Sequence, residues 1–530
     1  MSKAELWNRF QTHYHDFRTA GLAIDVSRMR HDTTFLKSMQ PLVDKALAEM
    51  AAIERGELIN SDEKRMVGHY WLRNADLAPT AAIRSDIVTV IENVEKFSAS
   101  VHNGSLKGAN GSFMNALIIG IGGSALGPQL VAHALGHPSR DKLNMFFFDN
   151  TDPDGMDRVL AALKGQLGHT LCVVISKSGS TKETRNGMLE VQAAYDQTGL
   201  RFSDHVVAIT GPGSQLHQHA EKEGWLRCFP MWDWVGGRTS ETSVVGLLPA
   251  ALQGLDIRRF LAGAKACDDL TRLPNIDANP ALTLALCWHY IGKGKGQKDM
   301  VILPYKDRLE LFSKYLQQLV MESLGKELDR EGKVVHQGLT VYGNKGSTDQ
   351  HAYIQQLRDG LANFFVTFIE VLHDREGTSL MVEEETTSGD YLFGFFMGTR
   401  QALYESGRES MTLSLDEISP FHMGSLIALF ERAVGLYAAM IHINAYHQPG
   451  VEAGKKAAGQ ILSLQLKVLN HLKATPGQAQ APDTIATAIG SPQEAEAIFK
   501  IATHLAANPE RGVLMDRGTD PQSTTFSFKG

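Results

Sequence analysis

Two loops hold most of the side chains and backbone groups suited to gripping an anion. The first is Gly120-Ile121-Gly122-Gly123-Ser124-Ala125, which follows an apolar run at 116–119. Glycines in such a place let backbone N–H groups approach an anion at a helix N-terminus. The string also fits the loose G-x-G-x-x-G/A fingerprint, and Asp149 closes the next apolar run, where a ribose-binding acid belongs. On this loop alone an NAD-dependent oxidoreductase is one reading; glycines required only by a tight strand–helix turn are another. The second loop is Ser176-Lys177-Ser178-Gly179-Ser180-Thr181-Lys182-Glu183-Thr184, with five hydroxyl residues in nine positions. A helix cap accounts for one or two of them. Hydroxyls and N–H groups converging on one spot suit a phosphate monoester, whose terminal oxygens accept many hydrogen bonds. No G-x-x-x-x-G-K-[ST] string occurs, so a P-loop for a nucleoside triphosphate is excluded. A small phosphorylated ligand fits the pair of loops better than a dinucleotide does.

Further along stand single residues with two readings each. Glu322 falls at the end of an expected helix, 309–324, where a carboxylate is either solvated or a base. A free glutamate titrates near 4.3 and serves as a base at neutral pH without activation. Arg238 follows two glycines and is either a structural ion pair or a fixed positive charge. His351, in Asp349-Gln350-His351, and Lys455, in Gly454-Lys455-Lys456, read by themselves as a structural histidine and a surface lysine. His13 with His15, and His217 with His219, have the spacing of metal-ligand pairs but lie on polar amphipathic segments, so they are expected to be exposed. No metal and no cofactor is expected.

The elements that position these residues alternate. Residues 2–98 read as helical, and 103–112 as a Gly/Ser-rich loop. Strands are expected at 116–119, 144–148, 171–175 and 205–209, with helices between them. Helices follow at 240–251 and 257–270, and the rhythm restarts with strands at 300–303, 363–371 and 412–415. Strand–helix alternation predicts parallel sheets with helices on both faces. From 451 the chain is helical again, with a linker at 474–482.

Composition bounds the function. The chain has 530 residues, 43% hydrophobic and 21% charged, as in an ordinary globular protein of more than one domain. A net charge of −7 without a basic stripe argues against a nucleic-acid partner. Four cysteines without a C-x-x-C pair exclude a disulfide framework and fit a reducing compartment. The polar first ten residues lack a signal-peptide core, and the apolar stretch 421–443 carries Glu431 and Arg432, which predicts a buried helix and no membrane partner. A cytoplasmic location is expected.

The strings GIGGSALGP and SKSGSTKET resemble the sugar-isomerase (SIS) domain pattern. The later VGGRTSETS, QQLVMESLGK, GSTDQH and QPGVEAGK, in that order, resemble the glucose-6-phosphate isomerase (phosphoglucose isomerase) family, most closely its cyanobacterial and plastid-type branch. The resemblance runs over about 115–456, roughly two-thirds of the chain. It implies an α/β fold of two three-layer SIS domains with parallel sheets, and helical extensions at both ends. The expected bounds are 1–105, 106–272, 273–450 and 451–530. It further implies reversible interconversion of glucose 6-phosphate and fructose 6-phosphate through a cis-enediol, without a cofactor. Glu322 then matches the general base and Arg238 the charge facing the enediolate. His351 and Lys455 match groups that handle the ring-oxygen proton, His351 coming from the neighbouring subunit of a homodimer with shared sites. Gly123, Ser124, Ser176, Lys177, Ser178, Thr181, Thr184, Gln318 and Gln448 match the substrate site. Ser178, Gly179, Thr239 and His447 depart from the family's usual residues. A sugar-phosphate sensor without catalysis, the oxidoreductase, and an isomerase with added mannose-6-phosphate activity are the alternatives. The four catalytic matches together favour the enzyme over the sensor.

Overall fold

Short apolar runs that end in glycine or hydroxyl residues become the central strands. The computed structural model describes residues 2–529, with the side chains of Val451, Glu452, Ala453 and Lys455 outside the description. The chain folds as two units, Met1–His447 and Gln448–Gly530.

The first unit contains two large sheets. In one, the strands Asn144–Phe148, Asn115–Ile119, Thr170–Ile175, Val206–Thr210 and Arg227–Pro230 lie side by side in that order, all parallel. Thr170–Ile175 and Val206–Thr210 are buried at every residue, as strands covered on both faces must be. The fifth strand, Arg227–Pro230, escapes a reading of the sequence because it is short, polar at its start and half-exposed.

The other sheet runs Tyr14–Phe17, Leu22–Asp25, Ser410–Leu415, Phe364–Val371, Asp299–Pro304, Val341–Tyr342. Its last four strands are parallel. Leu22–Asp25 pairs antiparallel with Ser410–Leu415, and Tyr14–Phe17 antiparallel with Leu22–Asp25. The N-terminal region is therefore not helical throughout. Four residues are too few to show strand periodicity, and it is the free edge of Ser410–Leu415 that supplies their hydrogen-bond partners. The long helices Thr33–Glu54 and Ala81–His102 do form there.

Helix Pro420–Met440 is long and apolar enough to cross a membrane, yet its most apolar window is wholly buried in the first unit. Its two charges are neutralised internally. Arg73 pairs with Glu431; Arg432 pairs with Glu54 and, at 2.6 Å, with Asp268. Arg272 reaches the same Asp268 at 2.5 Å.

The second unit has its own core of Leu464, Val468, Leu472, Ile485, Ile498, Leu505 and Phe526. It comprises helices Pro449–Ala474, Pro482–Ala488 and Ala495–Ala506, and a hairpin of Val513–Asp516 with Thr525–Phe528. Residues 474–482 are not a free linker: Gly477 N–H donates to Phe528 O, and Gln480 and Phe526 exchange backbone hydrogen bonds at 2.9 Å.

Candidate active site

The glycine loop serves close approach. After strand Asn115–Ile119 the chain makes a tight turn, Gly122–Ser124, and enters helix Leu126–Leu135. Gly122 has φ +58°, and a Cβ there would stand 2.9 Å from Gln318 Nε2. A Cβ on Gly123 would stand 1.9 Å from the carbonyl oxygen of Gly237. The two glycines thus let this turn touch both the Arg238 loop and the segment carrying Gln318; Ser124, in the same turn, is half-buried. Ser240 Oγ, which donates to Gly237 O at 2.6 Å, steadies the contact. Asp149 accepts from Gln129 Nε2 at 2.8 Å and faces Lys314 at 3.8 Å.

The hydroxyl loop lies at the end of strand Thr170–Ile175 and opens helix Lys182–Gln197. Ser176 is buried; its Oγ accepts from Gly179 N–H at 3.1 Å and donates to Thr181 Oγ1 at 3.3 Å. Ser178 pairs with Ser180 at 2.8 Å on the exposed rim. Thr184 is buried and, among the described residues, its hydroxyl has no partner. Ser176, Gly179, Thr181 and Thr184 border a cavity of about 250 Å³. Thr181 precedes the helix without its side chain capping an N–H. Lys177, matched to the substrate site by the resemblance, is hydrogen-bonded to the backbone. Its ammonium donates to Asp233 O at 2.8 Å and Val235 O at 2.9 Å, and so ties the hydroxyl loop to the approach of the Arg238 loop. Burial, reinforced by Arg65, pushes its pKa down to about 8.

The third component is a helix of unusual pitch. The expected helix at 309–324 is a short α-turn, Phe312–Leu316, continued by a π-helical segment, Gln317–Glu322. Such segments re-aim side chains and recur at functional sites. Glu322 Oε2 lies 3.1 Å from Arg238 Nη1, with the Glu322 side chain 22% exposed and Arg238 only 4%. Arg238 is clamped further: Nε donates to Ser323 Oγ at 2.7 Å, and Nη2 donates to Ala445 O at 2.5 Å and His447 O at 3.1 Å. Burial lowers its pKa, and the Glu322 carboxylate opposes that. A sequence reading misses Ser323 as the group that orients Arg238. The only signal is a hydroxyl adjacent to Glu322.

Gly123, Arg238, Gln318 and Glu322 thus converge. Among the described residues, His351 makes no hydrogen bond or ion pair with them. It sits exposed on the turn Thr348–His351, which buried Asp349 holds by accepting from Asn344 N–H at 2.9 Å and from Tyr353 Oη. Gln448 precedes helix Pro449–Ala474 at the start of the second unit, and the Lys455 side chain lies outside the described residues. The paired histidines are half-buried rather than exposed, and among the described residues no His, Cys, Asp or Glu cluster is arranged to hold a metal.

This geometry has relatives. The chain is 59% identical over 519 residues to the glucose-6-phosphate isomerase of Geotalea daltonii, covering 98% of each. It is 56% identical over 516 residues to that of the cyanobacterium Cyanothece, covering 97% of each. The crystal structure of a glucose-6-phosphate isomerase from Chlamydia trachomatis superposes with a TM-score of 0.78 at 28% identity, covering 86% of this chain and 91% of that one. The sequence profile of phosphoglucose isomerase matches residues 25–403 and 397–476. With its two sheets, its hydroxyl loop and its Arg238–Glu322 pair, the chain belongs to the phosphoglucose isomerase family.

Proposed function

We propose that the protein is a glucose-6-phosphate isomerase that interconverts glucose 6-phosphate and fructose 6-phosphate in glycolysis and gluconeogenesis. The observation that carries the reading is the carboxylate of Glu322 held 3.1 Å from the buried Arg238 guanidinium; Lys177 ties a loop of hydroxyls suited to a phosphate to the segment that leads to Arg238. Glu322 removes the C2 proton of the open-chain aldose and returns it to C1. Arg238 faces the negative charge of the cis-enediolate; it keeps its own proton and supplies fixed charge. Ser124, Ser176, Ser178, Thr181, Thr184 and backbone N–H groups at Gly123 receive the phosphate, with Lys177 fixing the loop. Gln318 and Gln448 line the sugar. His351 and Lys455 exchange the ring-oxygen proton during ring opening.

The exposed position of His351 supports a homodimer in which the partner subunit's His351 completes each site. So does the apolar surface nearby in the sequence, where Leu380, Met381, Phe393 and Phe395 are each at least 45% exposed. We read 106–272 and 273–450 as the two SIS domains, with 1–105 and 451–530 as extensions. Four free cysteines support a reducing, cytoplasmic location.

The test is a coupled assay with fructose 6-phosphate, in chelator, with a linking dehydrogenase reducing NAD(P)⁺ as glucose 6-phosphate forms. Steady reduction dependent on the protein is expected. Absence of turnover with a tightly bound phosphosugar would favour the sensor, and reduction without the linking enzyme the oxidoreductase.

A further inference from the structure

Lys326 follows Glu322 by four positions and is 5% exposed. In a continuing α-helix the Glu322 carbonyl would accept the backbone N–H of residue 326. Here the chain leaves the helix at Gly325, whose N–H donates to Met321 O at 2.8 Å, and Lys326 opens strand Lys326–Leu328. The Lys326 ammonium takes the vacant place: Nζ donates to Glu322 O at 2.7 Å. Among the described residues this is its only hydrogen bond, although an ammonium has three donors. A buried ammonium so sparsely paired costs stability, and an apolar side chain of the same length would fill the site at less cost. A role confined to packing does not account for it. The groups that act on it are those of the reaction centre and its rim: Arg238, Glu322 and Asp62, with His447 close by.

We propose that Lys326 is a positioning residue for the isomerisation: its ammonium anchors the end of the π-helical segment that aims Glu322 and adds a second buried positive charge beside Arg238, where the enediolate develops. This rests on the isomerase reading. The rival is a helix-end cap with no influence on the chemistry. Burial, together with Arg238, lowers the Lys326 pKa to about 7, so the charge is lost near neutral pH. Of the other groups near it, His447 is held below its ordinary value by burial and Asp62 by its hydrogen bond from Asn444, while a guanidinium such as that of Arg238 stays charged throughout this range.

The experiment compares wild type, Lys326→Met and Lys326→Arg in the coupled assay between about pH 6 and 9, with melting temperatures alongside. The Met variant should lose about tenfold or more in kcat, up to the roughly 10²–10³ that removal of a preorganised donor costs, with KM within about threefold. The Arg variant should keep kcat within about threefold. Wild-type kcat/KM should fall above about pH 7 as Lys326 deprotonates, and that limb should be absent in the Arg variant, whose guanidinium stays charged. In kcat the wild-type limb should lie higher, because bound phosphosugar favours the protonated ammonium. A Met variant with unchanged kcat, whatever its melting temperature, makes Lys326 a cap and overturns the proposal. Should the Met variant not fold, an identical alkaline limb in wild type and Arg variant overturns it just as well. A wild type without turnover removes the isomerase reading instead.

Discussion

The two sheets of the first unit share a strand order and differ at the end where a ligand would bind. In both, the second, first, third and fourth parallel strands lie side by side in that sequence. Such sheets bind ligands beyond the carboxyl ends of their strands. In the first sheet the third strand leads to the hydroxyl loop, and Thr181 leaves the N–H groups of its helix uncapped. In the second, the third strand, Phe364–Val371, leads eventually to helix Ser388–Glu405, whose N-terminus is already satisfied. Thr387 and Asp390 form a capping box, and Asp374 places its carboxylate so close to Gly389 that a Cβ there would be 1.9 Å away. Lys306 is likewise engaged with the carbonyls of His373 and Asp374. A cavity of about 400 Å³ exists at this end, but Asp307, Glu370 and Asp374 line it together with its basic residues. One topology thus yields an open hydroxyl-lined loop once and an internally filled end once. What distinguishes them is where the carboxylates fall.

The largest effect that would break this contrast is at Glu322, the proposed base. Glu322→Gln keeps shape and removes basicity, so kcat should fall by about 10²–10⁴ with substrate binding within a few-fold. Turnover above about a tenth of wild type, in the coupled assay, would remove Glu322 from the chemistry and with it the proposed role of the contact between the Gly122–Ser124 turn and the π-helical segment.

Thr181→Val probes the open loop. Loss of a hydroxyl to a dianion is worth about 1.5–3 kcal/mol, so KM should rise about ten- to a hundredfold, with a smaller change in kcat. An unchanged KM would mean that the phosphate lies elsewhere.

The second sheet should show itself in stability instead. Its N-terminal annex carries His31, 4% exposed, whose pKa is lowered to about 4 by burial. Because the folded value lies below the unfolded 6.5, the folded state resists protonation. Stability is therefore full above about pH 6.5 and is lost as pH falls toward about 4, by about 2–3 kcal/mol for an isolated group. Urea unfolding should show that loss shrinking in His31→Gln; an equal loss in both proteins would place the acid sensitivity elsewhere.

The smallest effect completes the comparison. Thr387→Ala removes the cap of the second-sheet helix and should cost about 1 kcal/mol, measured as a lower urea midpoint, with KM unchanged. A raised KM would make the two helix N-termini functional equals.

Much of this was legible before any coordinates. The runs at 116–119 and 171–175 become strands within a residue of the expected bounds, because a strand buried on both faces must be apolar throughout and must stop at a turn residue; the run at 144–148 becomes a partly exposed edge strand with the expected bounds. The hydroxyl loop announced itself by an excess no helix cap needs. The motifs also placed Glu322 and Arg238 by resemblance, though not their contact.

What the amino-acid order determined alone is therefore local: where apolar runs end, and which polar groups cluster within a few residues of those ends. Tertiary structure decided everything that joins distant segments. The contact between Arg238 and Glu322 spans 84 positions of the chain, and the one between Gly123 and Gly237 spans 114. The strand Leu22–Asp25 exists because Ser410–Leu415 offers an edge. The direction of the Lys177 ammonium depends on carbonyls at 233 and 235. Hydrogen-bond periodicity is a short-range property of the backbone, whereas an ion pair or a glycine's close approach is created only when packing brings two surfaces within a few ångströms.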